Sequence, residues 1–150
     1  MTTYLLDTNI ILRFSNPSDT QHESAKNAVA AILAQGDECY LASQVLIEMW
    51  VVATRPTDVN GLGWSTIYTR HVIDQLMQRF PIAEEVPQLF PTWLDIVSTH
   101  KILGKRSHDV RLVALMKTSA ISHILTLNPS DFSNIPDITV VHPQDIIRKE

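Results

Sequence analysis

The sequence predicts an α/β fold: a three-layer α/β/α sandwich whose central sheet is parallel and mostly five-stranded. Three observations predict it. Short apolar runs recur along the whole chain. Segments with helical periodicity separate them, as repeated strand–helix–strand units require. The runs are continuously apolar instead of alternating, as in strands buried on both faces.

Taken in order, Tyr4-Leu5-Leu6 is a first buried strand ending at Asp7, followed by a helical turn over Asn9–Phe14. Ser18 opens a helix reaching about Gln35, with Ala25, Ala28, Val29, Ile32 and Leu33 on one face and Gly36 as its stop. A second strand covers Glu38–Ala42, and Ser43 is a suitable N-cap for a helix through Ala53, before Arg55-Pro56. After a Pro- and Gly-containing loop, Trp64–Phe80 reads as a helix, Pro81-Ile82 as a third strand and Gln88–Leu103 as a helix. Gly104 breaks the chain, and Ser107 caps a helix to about Ser119. His123–Leu127 is the fourth strand, Ile138–Val141 the fifth, and Pro143–Arg148 a closing helical turn.

The 150 residues, 45% of them hydrophobic and 19% charged, suit one globular domain spanning 1–150. A net charge of −4 argues at first sight against nucleic acid. Clustered carboxylates that hold a divalent cation reverse the local field, however, so the site decides the partner. The single cysteine, Cys39, excludes an intrachain disulfide and cysteine-based zinc sites, and its apolar setting suits an inert buried thiol. No run approaches the ~20 apolar residues that cross a bilayer, so a cytoplasmic protein without membrane contact is expected. The six histidines are scattered, with no HExxH spacing.

Three carboxylates stand where apolar residues are expected. Glu48 lies within Val45-Leu46-Ile47-Glu48-Met49-Trp50-Val51-Val52-Ala53, apolar all round, and such a helix is expected to be buried. A buried carboxylate needs a cation, a hydrogen-bond network or a proton. It is either a metal ligand or a helix corner that reaches solvent or an arginine. Asp7, between Leu5-Leu6 and Ile10-Ile11-Leu12, is either a ligand or the cap of the following turn. Asp109 falls in the first turn of a helix that packs inward, where an acid also suits the helix dipole. Asn128 follows the fourth strand, and Asp131 lies in a Pro-containing turn after it. Oxygen donors of this kind suit Mg²⁺, with Mn²⁺ as a substitute. One or two such ions can activate a water in line with a phosphodiester and neutralise the departing 3′ oxygen.

The chain resembles the PIN domain family and, within it, the VapC-type ribonuclease toxins of bacterial toxin–antitoxin pairs. The matching segments are Leu5-Leu6-Asp7-Thr8-Asn9-Ile10, Ser43–Glu48, Ser107–Leu112 and Leu125–Phe132, in that order. The resemblance implies the three-layer fold, with Asp7, Glu48 and Asp109 as catalytic, metal-binding acids. A fourth acid is often present after the last matching strand; Asn128 occupies that place here, and Asp131 is the nearest carboxylate. Thr8 and Asn128 are expected to orient carboxylates or water. Lys105 and Arg106, with Arg13 as a third candidate, are positioned to hold RNA phosphates or else to be solvated. The resemblance also implies an RNA substrate, a cognate antitoxin and a homodimer.

Other readings are weaker on the residues. Haloacid-dehalogenase-type phosphatases need a second Asp where Asn9 stands, and a dinucleotide-binding fold needs a Gly-rich turn where the chain has Asp7-Thr8-Asn9. An RNA-processing nuclease without an antitoxin, or a degenerate module that only binds RNA or protein, remains compatible with the same fold.

Overall fold

In the computed structural model, which describes residues 1–148, four parallel strands form one sheet in the order β2-β1-β3-β4. They are β1 (Thr3–Leu6), β2 (Glu38–Tyr40), β3 (His123–Leu125) and β4 (Thr139–Val141). Tyr4 faces Cys39 on one side and His123 on the other, and Ile124 faces Val140. The chain leaves β1 towards β2 and later crosses back to place β3 on the opposite side. The gap beyond the ends of β1 and β3 is therefore the topological switch point, where ligands of parallel α/β sheets bind.

Among the described residues seven helices complete the layers: α1 (Thr8–Phe14), α2 (His22–Ala34), α3 (Ser43–Thr54), α4 (Thr66–Arg79), α5 (Leu89–Thr99), α6 (Arg106–Ser119) and α7 (Pro143–Ile147). α7 packs on α2, while the 3-10 turn Pro129–Phe132 packs on α6, which also carries α5. With right-handed crossovers, α2 and α7 cover one face and α6 the other. The core is continuous through the sheet: Leu5, Leu6, Ile124 and Leu125 from the strands meet Ile10, Ile11, Ile32, Met49, Leu112 and Leu115 from the helices. Burial pushes the Cys39 thiol up to about 12, so it is inert as expected.

The expected third strand, Pro81-Ile82, is a single bridge, Leu41 to Ile82, so the sheet has four strands and not five. Leu41 N–H donates to Pro81 O and receives Ala83 N–H at its own carbonyl, both at 2.8 Å. Pro81 has no N–H to extend the ladder, so pairing stops there. The first helix after β1 starts one residue earlier than expected, at Thr8. Ser18 does not open α2; Asp19 instead accepts Gln21 N–H in a turn, and the helix begins at His22. Ser43 and Ser107 lie inside their helices rather than capping them, the flanking positions being Ala42 and Lys105. Ser65 does cap α4, through Tyr68 N–H.

Gly36 ends α2 as the pattern requires. Its φ is +87°, with Asp37 N–H returning to Ile32 O and Gly36 N–H to Leu33 O. α5 stops at Thr99 and not near Leu103, because Lys101 turns left-handed and Ile102 N–H returns to Val97 O. α6 ends the same way, at Ala120, with φ +55°. An alanine bears a steric cost in that conformation that glycine does not. Ala120→Gly is accordingly expected to raise unfolding free energy by about 0.5–1 kcal/mol in urea melts, with no change in the fold.

Candidate metal centre

Asp7 follows the last residue of β1 and caps α1, so the strand end and the helix start fix one backbone position. Its N–H continues the ladder to Leu125 O at 3.0 Å, while its carbonyl receives Ile10 and Ile11 N–H. The side chain is 7% exposed. Oδ1 accepts Thr8 N–H at 2.8 Å, and Oδ2 accepts the Thr126 hydroxyl at 2.8 Å and the Asn9 amide at 3.3 Å. Cap and candidate ligand are one residue here. Burial raises the Asp7 pKa; the Thr126 and Thr8 hydrogen bonds oppose the rise, and the charges of Glu48 and Asp131 add to it.

Thr126, fully buried just past β3, explains why that strand ends at Leu125 and not Leu127. Its own N–H still pairs with Val141 O. Beyond it, Leu127 N–H goes to Asn9 Oδ1 at 3.0 Å and Asn128 N–H to Thr126 Oγ1 at 3.1 Å. Side chains thus take the ladder's next donors. The Asn9 amide also donates to Thr126 Oγ1 at 3.3 Å, stitching β1, α1 and β3 together at the switch point.

Glu48 sits on α3, which packs against α1. Its Oε2 accepts the Thr8 hydroxyl at 2.6 Å, and its Oε1 accepts the Gln44 amide at 3.0 Å. The helix is not buried all round as its composition suggested: Ile47 is 64% and Val51 53% exposed. Glu48 is half-buried between these outward residues and the core face of Val45 and Met49. The reason is that α3 packs inward, against α1 and α4, with one face only, leaving an apolar face outside.

Asp109, in the first turn of α6, is half-buried. Burial first, then the charges of Asp131, Asp7 and Glu48, push its carboxyl up to about 6, with Lys105 pulling it down. The four acids therefore share one electrostatic neighbourhood. Asp131 belongs to it, whereas Asn128 has an exposed side chain and contributes its backbone N–H. Thr8 is brought to Glu48 by its hydroxyl hydrogen bond. Among the basic candidates, Lys105 is the one that acts on Asp109; Arg106 is turned to Ser133 O at 2.9 Å, and Arg13 pairs with Asp19 at the far end of α1.

Among the described residues no three acidic, histidine or cysteine side chains form a ready-made metal cage, and none of the four acids is in an ion pair. The donor set is nonetheless all oxygen, crowded and uncompensated. That suits Mg²⁺, which keeps several waters and takes only one or two carboxylates directly.

Two contiguous clefts lie on the Glu48 side of the site. One of about 600 Å³ includes Gln44, Ile47 and Glu48, and it shares Glu85, His108 and Arg111 with an apolar cleft of about 660 Å³ lined by Val86, Pro87, Leu89, Phe90 and Trp93. Trp64 and Tyr68 form one aromatic pair and Phe90 and Trp93 another, with ring centroids 4.9 and 5.6 Å apart. Trp93 Nε1–H donates to Ser107 O at 2.7 Å, fastening α5 to the start of α6.

Residues 4–138 match the PIN domain family model. The chain belongs to the PIN domain family. This PIN domain is similar in fold to solved chains that are under 25% identical to it. One is from VapBC2 of Rickettsia felis bound to a promoter DNA fragment: TM-score 0.71, 17% identity, covering 94% of this chain and 98% of that one. VapBC-1 from nontypeable Haemophilus influenzae gives TM-score 0.71 and 17% identity, with 95% and 99% covered. VapC20 of Mycobacterium tuberculosis, a Sarcin-Ricin loop cleaving toxin, gives TM-score 0.55 and 16% identity, with 81% and 86% covered. No curated protein sequence matches the chain. Among the described residues no helix is long and apolar enough to cross a membrane.

Asn9, Thr126 and Gln44 are the site residues that sequence reasoning missed. Thr126 had a faint signal, a polar residue closing an apolar strand. Gln44 had another, one helical turn before Glu48, the spacing at which an amide reaches a carboxylate.

Raised carboxyl pKa values make the folded state hold protons that the unfolded state releases. The contribution of Asp7 and Asp109 is thus fully favourable below the ordinary carboxylate range and is lost as pH rises, for Asp109 through about 6. In EDTA, thermal melts are expected to show Tm falling between pH 5 and 7.5. Asp109→Asn flattens that slope, and Mg²⁺ at pH 7.5 restores Tm in the unaltered chain. A slope unchanged in Asp109→Asn would contradict this assignment. Thr126→Val, which strands Asn128 N–H and removes one of the two donors to Asp7 Oδ2, is expected to cost about 1–3 kcal/mol in denaturant melts.

Proposed function

We propose that this PIN domain is a Mg²⁺-dependent endoribonuclease, the toxin of a type II toxin–antitoxin pair, with Mn²⁺ able to replace Mg²⁺. The observation that carries the reading is the group Asp7, Glu48, Asp109 and Asp131. At the switch point of a PIN fold the charges of Glu48 and Asp131 raise the proton affinity of Asp7, and those of Asp131, Asp7 and Glu48 raise that of Asp109; among the described residues no cationic side chain is ion-paired to these acids. Holding uncompensated carboxylates together opposes folding, and a divalent cation relieves that cost.

Asp7, Glu48 and Asp109 are the proposed protein ligands, with Asp131 as a fourth acid acting directly or through water. Thr126, Asn9 and Thr8 hold the oxygens of Asp7 and Glu48 in place, so the carboxylates need no reordering when the ion arrives. When bound, the ion supplies charge neutralisation at the phosphodiester and a lower pKa for the attacking water. Lys105, beside Asp109, is the proposed phosphate contact on the approach to the acids.

An antitoxin partner is supported by the similarity in fold to chains from VapBC complexes, and by the apolar cleft that adjoins the one containing Glu48. Its exposed Phe90 and adjoining Trp93 suit anchoring side chains of a peptide segment. The outward apolar residues of α3, Ile47, Trp50 and Val51, support a homodimer.

Single-stranded RNA incubated with the protein and Mg²⁺ is expected to be cut, and EDTA to stop the cutting. Asp7→Asn, Glu48→Gln and Asp109→Asn should each lower the rate by at least about 100-fold, with melting curves still cooperative. Cleavage that persists in EDTA, or full activity in Asp7→Asn, would sink the reading.

A further inference from the structure

Glu48 and Asp109 lie on different helices, and one side chain joins those helices beside both acids. The Gln44 amide Nε2 donates to Glu48 Oε1 at 3.0 Å and to the backbone carbonyl of His108, the residue before Asp109, at 2.8 Å. Its Oε1 accepts from Arg111 Nη1 at 3.1 Å. Both amide protons and the amide oxygen are thereby used. The reverse orientation would set Oε1 against a carboxylate and a carbonyl, and the NH₂ group against a guanidinium, so every contact would oppose like with like. Arg111 therefore fixes which way the amide points.

The charge of Arg111 is spent elsewhere. Its Nη2 pairs with Glu85 Oε1 at 2.9 Å and Nη1 reaches Glu85 Oε2 at 3.5 Å. Among the described residues Glu48 is held by two uncharged donors only, the Thr8 hydroxyl on one oxygen and the Gln44 amide on the other. A lysine or arginine at position 44 would also aim Glu48 but would neutralise it. A neutral amide restricts rotation of the carboxylate and leaves its charge for a cation. It also ties the first turn of α6, and with it Asp109, to α3.

We propose that Gln44 is the positioning residue of the metal centre: it aims Glu48, sets the spacing of α3 and α6, and has its own orientation set by the Arg111–Glu85 pair. This rests on the metal-nuclease reading above. Removal of such a supporting hydrogen bond is expected to weaken metal binding by about 10–100-fold.

The test titrates the full chain with Mn²⁺ alone, following free Mn²⁺ by electron paramagnetic resonance, for the unaltered protein and Gln44→Met. RNA cleavage gives kcat and KM separately, and melts in EDTA check folding. The expected result is an Mn²⁺ dissociation constant at least about 10-fold higher, a lower kcat, an unchanged KM for RNA and a closely similar metal-free Tm. If methionine destabilises the chain, Gln44→Ala, which admits water, carries the same expectation. Equal Mn²⁺ affinity in the folded variant overturns the role of Gln44 while leaving the metal centre standing. No Mn²⁺ binding by the unaltered chain overturns the metal centre itself, and the role of Gln44 with it.

Discussion

Asp7 is a carboxylate enclosed where an apolar strand meets an apolar helix, and the polar architecture of the molecule is arranged around that burial. An enclosed carboxylate is tolerated when its oxygens accept hydrogen bonds. Here the donors come from three places: the backbone of Thr8, the amide of Asn9 and the hydroxyl of Thr126. Each donor needs its own element correctly placed, so satisfying one side chain fixes the junction of β1, α1 and β3. The same bonds end β3, because Asn9 and Thr126 take the N–H groups that would have extended it.

Around that junction the structure accumulates negative charge that does nothing for folding. Asp109 is pushed up to about 6 by burial and by the acids that face it, which is a measure of how far the apo protein would prefer not to carry all these charges at neutral pH. Stability has to come from elsewhere: the continuous apolar core on both faces of the sheet and the well-formed helix stop at Gly36. Separation of a stabilising core from a destabilising site is common where function needs a local arrangement that folding alone would not choose. The way the acids are supported fits this division. Thr8, Asn9, Thr126 and Gln44 are all neutral, so they restrict the carboxylates without discharging them.

The fold and most of the acids were legible in the sequence for a simple reason. Burial on both faces makes strands continuously apolar, and a charge inside such a run stands out. Asp7 and Glu48 were visible this way, although Glu48 was visible for a partly mistaken reason, since Ile47, Trp50 and Val51 face outward. Boundaries were less legible. Ser43 and Ser107 look like caps, yet one helix begins at Ser43 itself and the other before Ser107; Pro81-Ile82 looks like a strand, yet proline limits it to one bridge. The clefts beside the acids were not legible, because Phe90, Trp93 and Arg111 are brought together by the packing of α5 on α6.

The sequence by itself determined the alternation of strands and helices, the parallel sheet and the placing of Asp7 at a strand end, because each is written in local periodicity and in the solvation cost of a single charge. Only the tertiary structure decided that Asp7, Glu48, Asp109 and Asp131 act on one another. It likewise decided that Asp131 and not the Asn128 side chain joins them, and that Thr126, Asn9 and Gln44 hold the site. Those facts depend on hydrogen bonds between residues 40 to 119 positions apart, and no local pattern carries information across such a separation. What opened as a set of misplaced carboxylates is, in the folded molecule, one buried aspartate and the neutral donors that make its burial possible.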